Sequence, residues 1–400
     1  MSFKSFRKGK NSLDFAKAFW RPVQKEREAL SRHHFVEDFS RIDQMWPRLA
    51  ENHGEIMAVN APHASHPETF TYQQLANRIS IASSAFFDFG IRKGDVIAMF
   101  SENSPRWLIA DQGLMRLDAI NAVRGALAPI EELRYIIENS GAVALILQTA
   151  DLWNKLDLPD DQKNRFKLIL QLEGDPLEGV VGWESFLSRG GDNETISALE
   201  ERGFDSASSS VATILYTSGT TGKPKGVPLT HENLLHQVKS LACVAYPSPG
   251  SPVLSVLPIW HSYERSAEYY FFSCACTHNY TTIKKLKSDL PKVRPIVMAT
   301  VPRLWEAIKE GFDDAVQNMP IARQKLLKSA LRNSSAYKYS LRKARSLTIE
   351  KISLRKRFLA CLDLTWRLPM HSLVSLFIWP KVLNQLSGGQ LLFPISGGGA

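Results

Sequence analysis

Long apolar runs are missing from this chain, and their absence sets the first limits. The first thirty residues contain no apolar core of the kind a secretory signal needs, so export by that route is not expected. Residues 1–13 are basic and free of acids, which leaves an organelle transit segment, a plastid one included, open beside a cytoplasmic location. The most apolar stretch, Phe358 to Pro380, is broken by Asp363, Arg367, Pro369 and His371. A membrane-spanning helix needs about 20 apolar residues, so no span is predicted. Cysteine is scarce too. Cys243, Cys274, Cys276 and Cys361 match no common zinc spacing, and Cys274-Ala275-Cys276 is one residue short of a redox pair. They read as free thiols in a reducing compartment. A Walker A loop is also absent: Gly219 is followed three residues later by Gly222-Lys223, and then by Pro224.

Acidic residues are depleted in one place. Between Ile321 and Arg357 there are twelve Lys or Arg and a single acid, Glu350. The whole chain carries +9, so everything outside this segment is slightly acidic. The basicity therefore belongs to one stretch, and with no recognised motif in it nucleic acid is not an expected partner. What remains is ordinary for a globular protein: 44% hydrophobic and 22% charged residues, in 400 residues that allow one large domain or two to three smaller ones with ample core.

The chain is organised around Val211 to Val238. Val211-Ala-Thr-Ile-Leu-Tyr216 has the β-branched, apolar character of a buried strand. It runs into a loop from Thr217 to Gly226 that is rich in glycine and hydroxyl groups and carries Lys223 and Lys225. A helix is predicted after it, with Thr230 as N-cap and Glu232 in the first turn. Glycines let backbone N–H groups approach an anion, hydroxyls donate to it and lysines neutralise it. This is phosphate-binding chemistry. The ordered run Tyr216-Thr-Ser-Gly-Thr-Thr-Gly-Lys-Pro-Lys-Gly226 resembles the signature of the AMP-forming, adenylating synthetases, the superfamily of acyl-CoA synthetases and luciferases.

Upstream, helical and strand-like stretches alternate. A helix is predicted from about Phe39 to Ala50, another from Thr71 to about Phe89, strands at Val96–Phe100, Ala119–Val123 and Ala142–Leu147, and helices at Trp107–Arg116 and Ile130–Asn139. Such alternation implies parallel βαβ units. The order of Thr71-Tyr72 before Leu75, Gly94-Asp95 before a strand, and Asn103 before Trp107 is similar to the N-terminal region of the same superfamily. Residues 151–210 read as a connecting region. Downstream, the strand Val253–Leu257 ends in Pro258-Ile-Trp-His-Ser-Tyr-Glu-Arg265. His261 thus lies just past a parallel strand, where open α/β sheets place ligands. Pro-x-x-His-x-x-Glu-Arg resembles a motif of the long-chain acyl-CoA and acyl-ACP synthetases. A further strand at Ile296–Val301 leads to a helix, and the closing Ile395-Ser-Gly-Gly-Gly-Ala400 resembles the superfamily's adenine-site motif.

The resemblance covers roughly residues 40–400 and implies an α/β fold: the large N-terminal domain of the adenylate-forming synthetases, with stacked mixed and parallel sheets. Residues 1–40 would be a basic lead-in, and the basic, membrane-facing stretch 321–380 an insertion in a 41–400 AMP-binding domain. The superfamily's later motifs and its small C-terminal lid are not in this sequence, so the chain is expected to be an incomplete portion and by itself inactive in thioester synthesis. The implied reaction is ATP- and Mg²⁺-dependent activation of a long-chain fatty acid to an acyl-adenylate, then transfer to CoA or acyl-carrier protein. On this implication Thr217, Ser218, Gly219, Thr220, Thr221, Gly222, Lys223, Lys225 and Gly226 hold the ATP phosphates, Thr217 also meets the metal, and Ser396, Gly397, Gly398 and Gly399 flank the adenine. Trp260, His261 and Tyr263 border the fatty acid, and Lys225, His261 and Thr217 are the expected catalytic side chains. A non-catalytic nucleotide- or lipid-binding fragment is the alternative of different class. The basic segment, with an imperfect apolar stripe (Leu327 and Leu331; Tyr339 and Leu347), is expected to form a surface helix docked on a membrane, in preference to a solvated charged helix or one that binds an acidic carrier protein.

Overall fold

The structure, a computed structural model, describes residues 38–64, 67–191, 195–196, 207–217, 223–242, 245–349 and 351–397. Most of the basic lead-in, like Ser218 to Gly222 and Gly398 to Ala400, lies outside the described residues. After a 3-10 turn at Ile42–Gln44 come α1 (Met45–His53), β1 (Met57–Ala61), β2 (Glu68–Thr71), α2 (Tyr72–Asp88), β3 (Val96–Phe100), α3 (Pro105–Arg116), β4 (Ile120–Arg124), α4 (Ile130–Ser140) and β5 (Ala144–Leu147). Then follow α5 (Ala150–Leu156), α6 (Asp160–Lys163), β6 (Leu168–Gln171), β7 (Val181–Gly182), α7 (Trp183–Ser188), β8 (Val211–Thr217), β9 (Lys225–Thr230) and α8 (His231–Leu241). The last third holds β10 (Pro252–Ser255), α9 (Ser262–Ser273), β11 (Thr277–Tyr280), α10 (Leu286–Val293), β12 (Val297–Thr300), α11 (Pro302–Gln317), α12 (Ile321–Ala344), α13 (Leu354–Phe377), α14 (Trp379–Ser387) and β13 (Phe393–Ser396).

The strands form two sheets. One has the order β7-β6-β5-β3-β4-β8-β9 and the other β13-β12-β10-β11-β1-β2. Every pairing is parallel except β8 with β9 and β1 with β2. The inner strands are apolar along their whole length, as a sheet covered on both faces requires: Ala144-Leu-Ile-Leu147 and Val297-Met-Ala-Thr300 are buried throughout. One hydrophobic core takes side chains from both sheets, among them Ile97, Val123 and Leu215 from the first and Val59, Val253 and Val297 from the second. Trp46, Trp107 and Tyr269 to Phe272 fill the layer between, with the Trp46 and Phe272 rings 5.1 Å apart. Local signals set the helix starts. Thr71 caps α2 in a reciprocal box with Gln74, and Ser104 caps α3 ahead of Pro105.

Three expectations are corrected. The glycine-rich loop does not lead directly into a helix. Lys225 to Thr230 turns back as an antiparallel edge strand, with Thr217 paired to Lys225, so Thr217, Lys225 and Gly226 belong to strands. Pro228 is tolerated there because an edge strand leaves one row of N–H groups unused. Thr230 does cap the helix that follows, with Asn233 completing the box. The stretch 151–210 is no mere connector: β6 and β7 extend the first sheet on its far side. The first helix begins at Met45, after the 3-10 turn, rather than at Phe39. The basic stretch folds as a helical hairpin, α12 against α13, inserted between the paired strands β12 and β13.

Candidate active site

In parallel strands the carboxyl ends fall on one edge of a sheet. Here the edges of both sheets are joined by Asn103, on the turn after β3. Its Nδ2 donates to Leu257 O at 2.7 Å, and its Oδ1 accepts from Ile259 N at 2.9 Å. One amide side chain thereby ties the end of β3 to the turn that follows β10. That turn carries Trp260, His261 and Tyr263.

Trp260 wedges between the sheets. The Arg124 guanidinium, at the carboxyl end of β4, lies 4.7 Å from its ring centroid and is itself held by Glu132 at 2.7 Å. Glu102 accepts from Trp260 Nε1 at 3.5 Å. Gly125 is required by this approach, since a β-carbon there would lie 2.6 Å from Trp260 Nε1. His261 is exposed and is the N-cap of α9: its Nδ1 accepts from Tyr263 N at 3.3 Å. The neutral ring therefore carries its proton on Nε2, a donor suited to a carboxylate. Tyr263 donates to Ile395 O at 3.1 Å, and Thr300 Oγ1 donates to the same carbonyl at 2.8 Å. Gly397 N donates to Thr300 O at 3.0 Å. The His261 turn and the Ser396–Gly397 end of β13 are thus one structure. Burial pushes the Tyr263 phenol up from its ordinary range.

The β8–β9 hairpin reaches this edge through β4. Val123 pairs with Leu215, so Arg124 stands level with Tyr216, one residue before Thr217. Thr217 and Lys225 are exposed at the end of the β8–β9 pair. Lys223 sits over Tyr135 of α4, its Nζ 5.7 Å from the ring centroid. Gly226 packs against Tyr216, whose hydroxyl donates to Asn139 at 2.8 Å. Ser218, Gly219, Thr220, Thr221, Gly222, Gly398 and Gly399 lie outside the described residues.

Behind the turn, Glu264 and Arg265 are fully buried and serve a different purpose from the residues before them. Arg265 ion-pairs with Asp111 and donates to Thr213 Oγ1 at 2.7 Å, Asn121 Oδ1 at 3.2 Å and the Tyr269 hydroxyl at 2.9 Å. Gln112 extends the network to Trp46 Nε1 at 2.7 Å. Three donor bonds and a paired carboxylate satisfy the buried guanidinium. The network fixes α9, and so His261, against β4 and β8. Glu264 accepts from Ser255 Oγ at 2.7 Å, and Glu268 accepts from the Tyr280 hydroxyl at 2.7 Å. Burial, above all, raises both carboxyls to about 8, with mutual repulsion adding to the rise at Glu264. In the sequence Asn103 stood out only by its place before Trp107, and Glu102, Arg124 and Gly125 did not stand out at all. An Arg-Gly pair directly after a strand was the signal available.

Residues 47–366 match the AMP-binding enzyme family model. The chain belongs to the AMP-binding enzyme family. Among similar curated proteins, a probable acyl-activating enzyme of Arabidopsis thaliana, described as chloroplastic, is 33% identical over 363 residues, 86% of this chain and 49% of the relative. A chloroplastic long-chain-fatty-acid–acyl-carrier-protein ligase of the same plant is 31% identical over 387 residues, 91% of this chain and 52% of the relative. The chain thus spans about half the length of these curated relatives. Two solved structures share the fold. The N-terminal domain of FACL13 from Mycobacterium tuberculosis has a TM-score of 0.57 at 22% identity, covering 66% of this chain and 63% of its own. A long-chain-fatty-acid-CoA ligase from Archaeoglobus fulgidus has a TM-score of 0.54 at 21% identity, covering 67% and 52%. The expected two-sheet architecture of the adenylate-forming N-terminal domain is what the fold comparison shows.

Proposed function

We propose that this chain is the ATP- and fatty-acid-binding portion of an enzyme that activates a long-chain fatty acid and passes it to a thiol. The observation that carries the reading is the junction of three motifs at one edge. The phosphate hairpin, the His261 turn and the Ser396–Gly397 strand end all sit at carboxyl ends of parallel strands, where such sheets bind ligands. In the first step a fatty carboxylate oxygen attacks the α-phosphorus of ATP, and the bond to the β-phosphate oxygen breaks to release pyrophosphate. The thiol of CoA or of acyl-carrier protein then takes the acyl group and AMP leaves. The chain's own share is positioning and charge neutralisation. Thr217, the 218–222 loop, Lys223 and Lys225 hold the phosphates. His261 donates from Nε2 to the carboxylate, Trp260 and Tyr263 wall the acyl group, and Ser396 to Gly399 flank the adenine.

The donors present fit a nucleotide triphosphate: hydroxyl and lysine groups are exposed at the hairpin tip, and no carboxylate of the hairpin opposes them. Among the described residues no three His, Cys, Asp or Glu side chains gather to hold a metal. Mg²⁺ is compatible with that, because it is held by few protein oxygens together with substrate phosphates and water. Thr217 would offer one such oxygen. No helix among the described residues is long and apolar enough to cross a membrane. We extend the proposal to a membrane surface facing residues 321–380, since the substrate is itself a lipid; the compartment, cytoplasmic or plastid, belongs to the same proposal.

The test is ATP–pyrophosphate exchange driven by a long-chain fatty acid, with the protein expressed at full length. Lys225→Ala and Thr221→Ala should each reduce exchange by about 10²-fold or more while fatty-acid binding stays within a few-fold. Unchanged exchange in both variants overturns the assignment.

A further inference from the structure

The α12–α13 hairpin leaves a long apolar stripe on its outside. The paired helices bury Ala330, Ala360 and Val374 and also make polar contacts across the pair. Ser340 Oγ donates to Asp363 at 2.6 Å, and Asp363 pairs with Arg367 at 2.8 Å. Asn333 Nδ2 donates to Arg367 O at 3.3 Å, and Ser334 Oγ bonds His371 Nδ1 at 3.0 Å. At the hairpin's closed end the Arg357 guanidinium donates to Ala344 O.

The outward face of α13 is apolar. Leu354, Phe358, Leu362 and Trp366 follow one another at i, i+4, and Leu373 and Phe377 continue the row further along. All six are exposed, Leu354 to 82%, Trp366 to 84% and Phe377 to 67%. Residues four apart share a helix face, so this is one stripe along a helix about 36 Å long. Alongside it, α12 is cationic. Arg323, Lys325, Lys328, Arg332, Lys338 and Arg342 are all exposed, and α12 contains no acid.

A helical pair in water turns its apolar stripe inward and its polar groups out. This pair leaves a long apolar stripe outside while polar groups bond each other within, which water alone does not favour. We propose that the hairpin is a membrane-docking device: the α13 stripe enters the headgroup–acyl boundary of an anionic bilayer while the α12 cations meet its phosphates. An apolar face flanked by Lys and Arg is the pattern of helices that lie in that interface. Charge complementarity selects the anionic lipid surface as occupant, because each cation near such a surface adds to the attraction. The inference rests on the membrane part of the proposal above and adds the surface that docks. It does not depend on the adenylating chemistry.

Vesicle co-sedimentation of the full-length protein tests it, without ATP or fatty acid. One variant carries Leu362→Glu and Trp366→Glu; a second carries Arg323, Lys325, Lys328 and Arg332 each changed to Gln. All of these positions are exposed, and circular dichroism melts check that both variants fold. The wild type should sediment with phosphatidylcholine–phosphatidylglycerol vesicles, more weakly with phosphatidylcholine alone, and less as salt rises. The stripe variant should lose about tenfold or more of its partitioning, and the cation variant should bind both vesicle types alike. ATP–pyrophosphate exchange, run in parallel without vesicles, should be the same in all three proteins, so that a failed docking surface and a failed adenylating site are told apart. Sedimentation of the stripe variant equal to wild type overturns the docking surface. A wild type that ignores anionic vesicles overturns the membrane reading with it. A wild-type dimer that the stripe variant converts to monomer, with vesicle binding unchanged, would assign the face to a second copy of the chain instead.

Discussion

Tyr263 and Gly397 meet so closely that a β-carbon at position 397 would lie 2.9 Å from the Tyr263 ring. The two residues are far apart in the chain, yet the ring of one occupies the space that the missing side chain of the other leaves. Gly397→Ala should therefore displace the ring or β13. Thermal unfolding should show a loss of about 1–3 kcal/mol, the usual scale of overpacking. In a Tyr263→Ala background the same substitution should be nearly neutral; an equal loss in both backgrounds would rule out the contact as the cause.

Asn103 joins the two sheet edges with one donated and one accepted hydrogen bond. Asn103→Ala leaves a carbonyl at Leu257 and an N–H at Ile259 without that partner, at a stability cost of about 1–3 kcal/mol. Because the loosened turn carries His261, the proposed function requires that the KM for fatty acid rise more than the KM for ATP. A uniform fall in kcat with both KM values unchanged would show that the bridge does not position this turn.

The Asp111–Arg265 pair is buried on both sides. Asp111→Ala strands a guanidinium in the core, and denaturant unfolding should register a loss of about 3–5 kcal/mol. Replacing both, Asp111→Ala with Arg265→Met, should recover part of that loss, because no unpaired charge remains. A double variant less stable than Asp111→Ala alone would contradict this.

Glu268 has its carboxyl raised from 4.5 to about 8, first by burial and then by the nearby Asp111. Below 4.5 both folded and unfolded chains hold the proton, and the group leaves stability unchanged. Between 4.5 and 8 the unfolded chain releases a proton that the folded chain keeps. Stability therefore falls as pH rises through this window and levels off above 8. Each unit of difference corresponds to about 1.4 kcal/mol. Glu268→Gln removes this dependence, so urea midpoints of wild type and variant should draw apart from pH 5 to pH 8 in the variant's favour. A constant gap across that range would refute the assignment.

Much of the fold was legible because local chemistry and tertiary structure agree. Alternating helices and apolar strands imply parallel βαβ units, and β3, β4, β5, β10 and β12 lie within a few residues of where periodicity puts them. Thr71, Ser104 and Thr230 cap helices through their own side chains, which is a property of neighbouring residues alone. The order of glycine, hydroxyl and lysine groups from Thr217 to Gly226 likewise pointed to phosphate chemistry by itself, and it carries the proposed ATP site.

What the sequence left undecided depends on partners far along the chain. Lys225 to Thr230 contains Gly226 and Pro228 and has little strand character of its own; it is a strand because β8 supplies an edge whose hydrogen bonds need a partner. Asn103, Arg124 and Gly125 become site residues only when β3 and β4 meet the turn after β10. The hairpin was legible as charge and as apolar content, but not in its sense. Which face turned outward was decided by the pairing of α12 with α13, where Ser340 and Asp363, Ser334 and His371 bond each other and leave Trp366 to the surroundings. Local sequence sets which residues prefer a helix or a strand, whereas the direction a side chain faces is settled by the partner its element finds.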